Sequence, residues 1–418
     1  MKAKHSLVLL MFYLISSYGY SQTQLTLKDA FLLARKNNPF YNAEKMNSDI
    51  AKSDITTAKL QYNPSFNISY IQVPNSKYFP ENTRFLNPEN RQISYQVSKT
   101  FQVHGQRKNK ILQAENDYHL SEINLNEYER NLFGDVSDKW LDVWFATQKL
   151  VILKQAKANS DTLLKINQIR LKDQVITTTE FLRTQILSDQ YNLMQVNAQQ
   201  SLKTQINELC FTLGINDSIL VNDNDAQFYL PIPDKYDTIL NYALQKRTDI
   251  ILSNGLAEKA RTEIQLQKSL AYPQPEVGLN YGAQNQVPYV GTYLAIPIPA
   301  FNRNQGEIEK SKIALTQSQS LLAANILKVK TEVQTAYSEY VTYKFSFEKY
   351  KEIFNKSENV LKTVRFSYLK GGTTILDYLE AERNWFDLQN EYYEAYYNYK
   401  KSFLQLLFVS NLTETILK

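Results

Sequence analysis

Proline sets the frame of this chain. All twelve prolines of the 418 residues fall at positions 39–88, 231–233 and 273–299, and none lies in 89–230 or 300–418. Proline removes a helical hydrogen bond and its ring clashes with the preceding turn, so a helix can run unbroken only in those two tracts. From Ile308 to Leu369 there is neither proline nor glycine. A helix of that length reaches roughly 90 Å at the usual rise per residue, more than a compact globule needs.

The apolar spacing says what such a helix packs against. Val329, Val333, Ala336, Tyr340, Tyr343, Phe347, Tyr350, Phe354, Ser357, Leu361, Val364 and Tyr368 follow alternating steps of four and three, the seam of a coiled coil. A second long helix, over about 107–171, carries Val136, Trp140, Val143, Thr147 and Leu150 in the same rhythm, with Gly134 as its one interruption. Each is followed by a short polar break, QVITTT or GGTT, and a returning helix over 178–212 or 375–409. These are two helical hairpins.

The two halves of the chain repeat one another. The stretch LQYNPSFNISY (60–70) matches LAYPQPEVGLNY (270–281), and Phe101 before HGQR matches Phe301 before NRNQG. Thr177, Glu180 and Leu182 recur 197 residues later as Thr374, Asp377 and Leu379. Each half therefore reads as helix, strand, strand, long helix, turn, helix. The first repeat spans 22–212, with strands near 64–73 and 92–101 and a hairpin over about 105–212. The second spans 249–418, with strands near 275–283 and 292–299 and a hairpin over about 303–410. A loop-rich segment, 213–248, joins them. Helices before the strands, near 39–62 and 249–271, supply the missing length if stacked end to end with the shorter returning helices.

The short strands alternate strictly. Phe66, Ile68 and Tyr70 are separated by Asn67 and Ser69; Ile93, Tyr95 and Val97 by Ser94 and Gln96; Val277, Leu279 and Tyr281 by Gly278 and Asn280. Residues 1–21 read as a charged start, the apolar run LVLLMFYLI and a small-residue cleavage site, the pattern of a secretory signal. In an exported chain, such strands fit a membrane barrel with one apolar and one polar face. Four strands cannot close a barrel, and an open edge in lipid leaves backbone groups unpaired at several kcal/mol each. Closure demands further chains: three copies give twelve strands and a ring of twelve helical columns.

The residues KTFQVHGQRKNKILQAENDY (99–118), IPIPAFNRNQGEIEKSKIAL (296–315) and YLKGGTTILDYLEAER (368–383) resemble the two strand-to-helix crossings and the second hairpin turn of the TolC-type outer-membrane efflux channel family. The FNRNQG form is similar to the subgroup serving heavy-metal efflux pumps of the cobalt-zinc-cadmium kind. The resemblance implies a mainly α fold with a small β part: a homotrimer with a 12-stranded β-barrel in outer-membrane lipid, continuous with a long α-helical barrel in the periplasm. It implies two partners, a periplasmic adaptor and an inner-membrane pump of the RND type. Drug efflux and type I secretion channels share that architecture. A soluble periplasmic coiled-coil scaffold would share the heptads and the signal, but has no use for paired alternating strands.

By the same resemblance, Asp377 and Glu380 fall at an acidic constriction of the tip, where carboxylate rings favour cations. Glu180 and Tyr368 fall at contacts that hold the closed state, although Thr373 stands where the family's lock has arginine. Gln174, Thr177, Gly371, Gly372 and Thr374 form the turns that meet the adaptor, with Gln174 where glycine is usual. Gly105, Asn302, Asn304 and Gly306 mark the crossings. From local sequence, Asp377 and Glu380 can equally serve the positive end of a helix, the two glycines a turn with positive φ, and the run EYYEAYYNYK helix packing. His104 and His119 converge with no other ligand type, so no metal site is assigned. No phosphate loop, zinc-spaced motif or nucleophile elbow is present, which leaves no basis for an enzyme or a cofactor. A net charge of +5 without a basic block gives none for nucleic acid. The single cysteine, Cys210, sits in the apolar context NELCFTLG and can make no internal disulfide.

Overall fold

The computed structural model describes residues 23–216, 219–221, 235–284 and 286–413. The expected signal segment, 1–21, lies outside the described residues. In chain order the elements are β1 (Thr23–Leu25), α1 (Leu27–Asn37), α2 (Pro39–Lys59), β2 (Ser65–Gln72), β3 (Arg91–Thr100), α3 (Gln106–Lys172), α4 (Thr178–Leu213), β4 (Ile219–Val221), α5 (Tyr236–Lys246), α6 (Thr248–Leu270), β5 (Glu276–Gln284), β6 (Val287–Ala295), α7 (Gln305–Leu369) and α8 (Ile375–Ser410). The fold is mainly helical with a small four-stranded sheet. Among the described residues no helix is long and apolar enough to cross a membrane. The contacts divide the chain into two units, and α3 and α7 contribute to both.

Among the described residues, the first unit comprises those within 23–43, 128–247 and 329–413. Its seam is the one the spacing predicts: Val329, Val333, Ala336 and Tyr368 are buried, and the residues between them are half-buried except Tyr343. On α3, Val136, Trp140, Val143 and Leu150 are buried, and the Trp140 indole N–H donates to the Leu25 carbonyl at 3.0 Å. Each such large side chain contributes roughly 1.5–3 kcal/mol by leaving water. Gly134 does not interrupt α3. The Phe408 ring stands 3.1 Å from where a Cβ would be, so glycine admits a close helix contact there. The run 391–400 is packing surface: Tyr392, Tyr396 and Tyr399 stack on Phe347 with centroids 5.7, 4.5 and 5.4 Å away. Such ring pairs each add about 0.5–1.5 kcal/mol beyond their area.

Two elements go beyond the sequence expectation. Each half carries an 11-residue helix, α1 or α5, ahead of the pre-strand helix. The segment 213–248 is accordingly not all loop, since it holds β4 and α5 among its described residues. In the returning hairpin arms, the ends of α4 and α8 meet the links between these helix pairs. Asn38 Nδ2 donates to the Thr212 carbonyl at 2.8 Å, Arg247 Nη1 to Val409 at 3.3 Å, and Asn411 Nδ2 to Lys246 at 2.9 Å. Those side chains satisfy carbonyls that a helix end leaves open.

The second unit comprises Glu44–Glu127 and Thr248–Lys328 and holds the sheet. Its order is β2-β3-β5-β6, antiparallel throughout, with β2 and β6 as free edges. Register puts Phe66, Val97 and Leu279 in one row and Ile68, Tyr95, Tyr281 and Val290 in the next. Asn67, Gln96 and Asn280, then Ser69, Ser94 and Gly282, occupy the opposite face. The apolar face is open to solvent in the single chain, with Phe66 at 63% and Leu279 at 62% exposure. On the polar face Tyr289 lies over Gly282, and its hydroxyl accepts from Gln92 Nε2 at 2.8 Å.

The last strand corrects the expectation of 292–299. It runs over Val287–Ala295, and Pro297 and Pro299 lie beyond it. Those prolines have no N–H for a ladder; Pro288 falls at the start of β6, the second residue of the strand, which within the single chain pairs only with β5.

Candidate functional site

The two hairpin turns, both in the first unit, are built alike. Helix α3 ends in a Schellman motif: Val175 N–H donates to the Arg170 carbonyl at 2.8 Å and Gln174 N–H to Leu171 at 3.0 Å. Helix α7 ends the same way, Gly372 N–H to Ser367 at 2.8 Å and Gly371 N–H to Tyr368 at 3.1 Å. Both motifs need a left-handed residue. Gly371 supplies it at φ +78°, and Gln174 at φ +59° against the steric cost of about 1–2 kcal/mol that a side chain carries there.

Each turn then opens the next helix with a capping box. Thr177 Oγ1 accepts from Glu180 N–H at 3.2 Å, and Glu180 Oε2 accepts the Thr177 N–H at 2.7 Å. Thr374 Oγ1 accepts from Asp377 N–H at 3.2 Å, and Asp377 Oδ2 accepts the Thr374 N–H at 3.1 Å. The reciprocal bonds satisfy two donors at each helix start. Thr373 adds a hydroxyl donated to Asp377 Oδ2 at 2.6 Å. Both carboxyls are held below their usual range, Glu180 chiefly by the Thr177 backbone N–H and Asp377 chiefly by the Thr373 hydroxyl and then Thr374. Asp377 is exposed, and so is Glu380 three residues on, on the same side of α8.

A buried polar chain ties three helices near the turns. The Tyr368 hydroxyl, on α7, donates to Asn167 Oδ1 on α3 at 2.7 Å. Asn167 Nδ2 donates to Thr184 Oγ1 on α4 at 2.8 Å, and Thr184 donates to the Glu180 carbonyl at 3.1 Å. Tyr368 also stacks on Tyr378 at 5.4 Å and lies 4.6 Å below the Arg170 guanidinium. The Glu180 and Tyr368 side chains are therefore not brought together; Asn167 and Thr184 stand between them. Sequence reasoning missed Asn167, Arg170 and Thr184. A signal existed for Asn167: it continues the buried stripe Leu153, Ala156, Ser160, Leu163 at steps of three and four.

Five residues beyond Asp377 on α8 lies another residue that sequence reasoning missed. Glu382 is 1% exposed, and neither carboxylate oxygen meets a donor within the described chain. Burial pushes its pKa up to about 7, with the Arg365 charge opposing. The buried Tyr191 hydroxyl is likewise without a partner, and burial together with Glu382 raises it.

The strand-to-helix crossings belong to the second unit. His104 and Gly105 have φ of +49° and +77° before α3, and Asn304 has +59° before α7. Asparagine is the side chain that tolerates this region best. Asn302 Oδ1 accepts the Asn304 N–H at 2.9 Å, and Asn304 Nδ2 donates to the Gln267 carbonyl at 2.8 Å. Gly306 is the second residue of α7 with open space around it, so Asn304 and not Gly306 carries the conformational demand. His104 stacks on Tyr272 at 3.7 Å, and among the described residues no group of three or more His, Cys, Asp or Glu is arranged to hold a metal. Cys210 is buried.

The outer membrane efflux protein family matches residues 32–215 and again 239–411, one stretch for each half. The chain belongs to the outer membrane efflux protein family. Among solved structures, this family member is similar to CusC, described for its transmembrane channel formation, with a TM-score of 0.77, 17% identity, and 93% of this chain and 92% of that one covered. VceC of Vibrio cholerae gives 0.72 at 13% identity over 92% and 95%. The open state of the Neisseria gonorrhoeae MtrE channel gives 0.73 at 15% over 92% and 88%. At these identities the likeness is one of fold. No curated protein matches the sequence.

Proposed function

We propose that the protein is the outer-membrane channel of a tripartite efflux system, a passive exit duct that performs no chemistry itself. The observation that carries this reading is the sheet: one face mostly apolar and largely open to solvent, the other mostly polar, with two edges unpaired in the single chain. Lipid covers such a face, and edges in lipid must be paired. A homotrimer pairs β6 of one chain with β2 of the next and closes twelve strands around the polar face. Family membership supports coupling, at the hairpin turns, to a periplasmic adaptor and an inner-membrane pump. The FNRNQG resemblance supports an RND-type pump exporting heavy-metal cations.

Density-gradient fractionation with a urea wash, followed by unheated electrophoresis, tests this. Urea-resistant trimers in the outer-membrane fraction are expected. A soluble or washable chain overturns the barrel and leaves a periplasmic scaffold as the reading.

Asp377 and Glu380 line the constriction in this proposal, although Asp377 also caps α8. Asp377→Asn with Glu380→Gln separates the two roles, since an asparagine Oδ1 can still accept the Thr374 N–H. Bilayer recordings should show a reduced cation preference. Unchanged selectivity would place these carboxylates away from the pore.

A further inference from the structure

The apolar face of the sheet ends at the first crossing in a run of positive charge, whereas at the second crossing Lys310 and Lys312 pair with Glu307 and Glu309. On β3 the outward row runs Ile93, Tyr95, Val97 and then Lys99, and Phe101 follows. Lys99 Nζ lies 5.7 Å from the Phe101 ring and donates to Gln61 Oε1 at 2.8 Å. Lys110 Nζ lies 5.6 Å from the Tyr62 ring. Lys108 is exposed between them in sequence, and Arg107 donates through Nε to the Lys59 carbonyl at the end of α2, 3.1 Å away. No acidic residue occurs from Lys99 to Leu112.

The strands of the sheet contain one acid, Glu276, and it belongs to the polar face, where Ser98 donates to it at 2.5 Å. In the link between β6 and α7 the apolar side chains stay open: Ile298 is 87% and Phe301 95% exposed. The opposite end of the sheet is different. There the segment 73–90 sets Lys77 and Arg84 against Glu81 and Glu89.

We propose that this crossing band is a binding surface for anionic phospholipid headgroups. The proposal rests on the reading of the sheet as a membrane wall and adds which lipid borders it on the side of the helices. The ammonium groups of Lys99 and Lys110 lie close to the Phe101 and Tyr62 rings beyond the apolar rows, where long side chains can hold charge at headgroup depth while acyl chains cover Val97, Leu279 and Phe66. A phosphodiester with no compensating amine is the complementary charge, and each cation near such a surface contributes a factor of about five.

The test uses the full-length protein in nanodiscs of phosphatidylcholine mixed with phosphatidylglycerol. Lipids retained on the protein are read by native mass spectrometry at low and high salt. Phosphatidylglycerol should be enriched over its bulk share, less so at high salt. The triple variant Lys99→Gln, Lys108→Gln, Lys110→Gln should insert normally and lower the enrichment at least about fivefold. Insertion with no preference, or a preference that the triple variant keeps, overturns the headgroup proposal and leaves the barrel standing. Failure of the unaltered chain to insert with either lipid overturns both.

Discussion

Replacing Glu382 by glutamine is expected to raise stability by about 3 kcal/mol at pH 8 and to change it little at pH 4, given a folded pKa of about 7 against 4.5 for the free side chain. Between those values the folded state keeps a proton that the unfolded state has released. Stability contributed by this residue is therefore present below about pH 4.5 and is lost as the pH rises through about 7. The origin is geometric: a carboxylate 1% exposed, with no donor at either oxygen and only the distant pull of Arg365. Thermal melting of the purified protein, followed by circular dichroism from pH 4 to 8, checks it. The native protein should lose several degrees relative to the variant across that range. Parallel curves would mean that Glu382 reaches water or a cation in the folded protein.

The second large effect is expected at the turn after α7. Gly371→Pro with Gly372→Pro should abolish efflux while trimers still assemble. Proline fixes φ near −65°, whereas Gly371 sits at +78°, and the two prolines delete the N–H groups that now bond Tyr368 and Ser367. The flanking helices keep their own hydrogen bonds, so the damage stays local. Gly371→Asn is the control, because asparagine already occupies the left-handed region at Asn304 and Asn411 in this chain. It should retain most of the export. Resistance assays beside unheated gels separate loss of function from loss of assembly; normal export by the double-proline variant would remove the turn from adaptor docking.

Much of the architecture is legible in the sequence because its signals are local or periodic. Proline positions bound α3 and α7, the four-three rhythm names the buried seam, and strict alternation separates the sheet faces. The 197-residue offset even pairs the capping boxes, Thr177 and Glu180 with Thr374 and Asp377. What escapes depends on partners far along the chain. Strand β6 takes its bounds from pairing with β5, not from its own Pro288 and Gly291. Gly134 reads as a helix breaker until the Phe408 ring is seen against it. The pairing of Tyr368 with Asn167 spans 201 residues, and no local pattern announces it. Glu382 looks like an ordinary surface glutamate, since its burial is decided by which side of α8 meets the other helices. Helices α1 and α5 are only 11 residues long, although Leu27, Ala30, Phe31 and Ala34 on α1 and Ile239 and Ala243 on α5 do fall at helical steps, a signal that was there to be read.

The matched hairpins also constrain how this chain can change over generations. Their returning arms are both 36 residues long, and the Tyr368–Asn167 bond fastens one hairpin to the other near the turns. An insertion in one hairpin would carry its turn past its twin and pull that bond apart. Length changes should therefore be inherited in pairs, one in each half, in steps of whole heptads. The two like halves of the chain are in this way held to a common size.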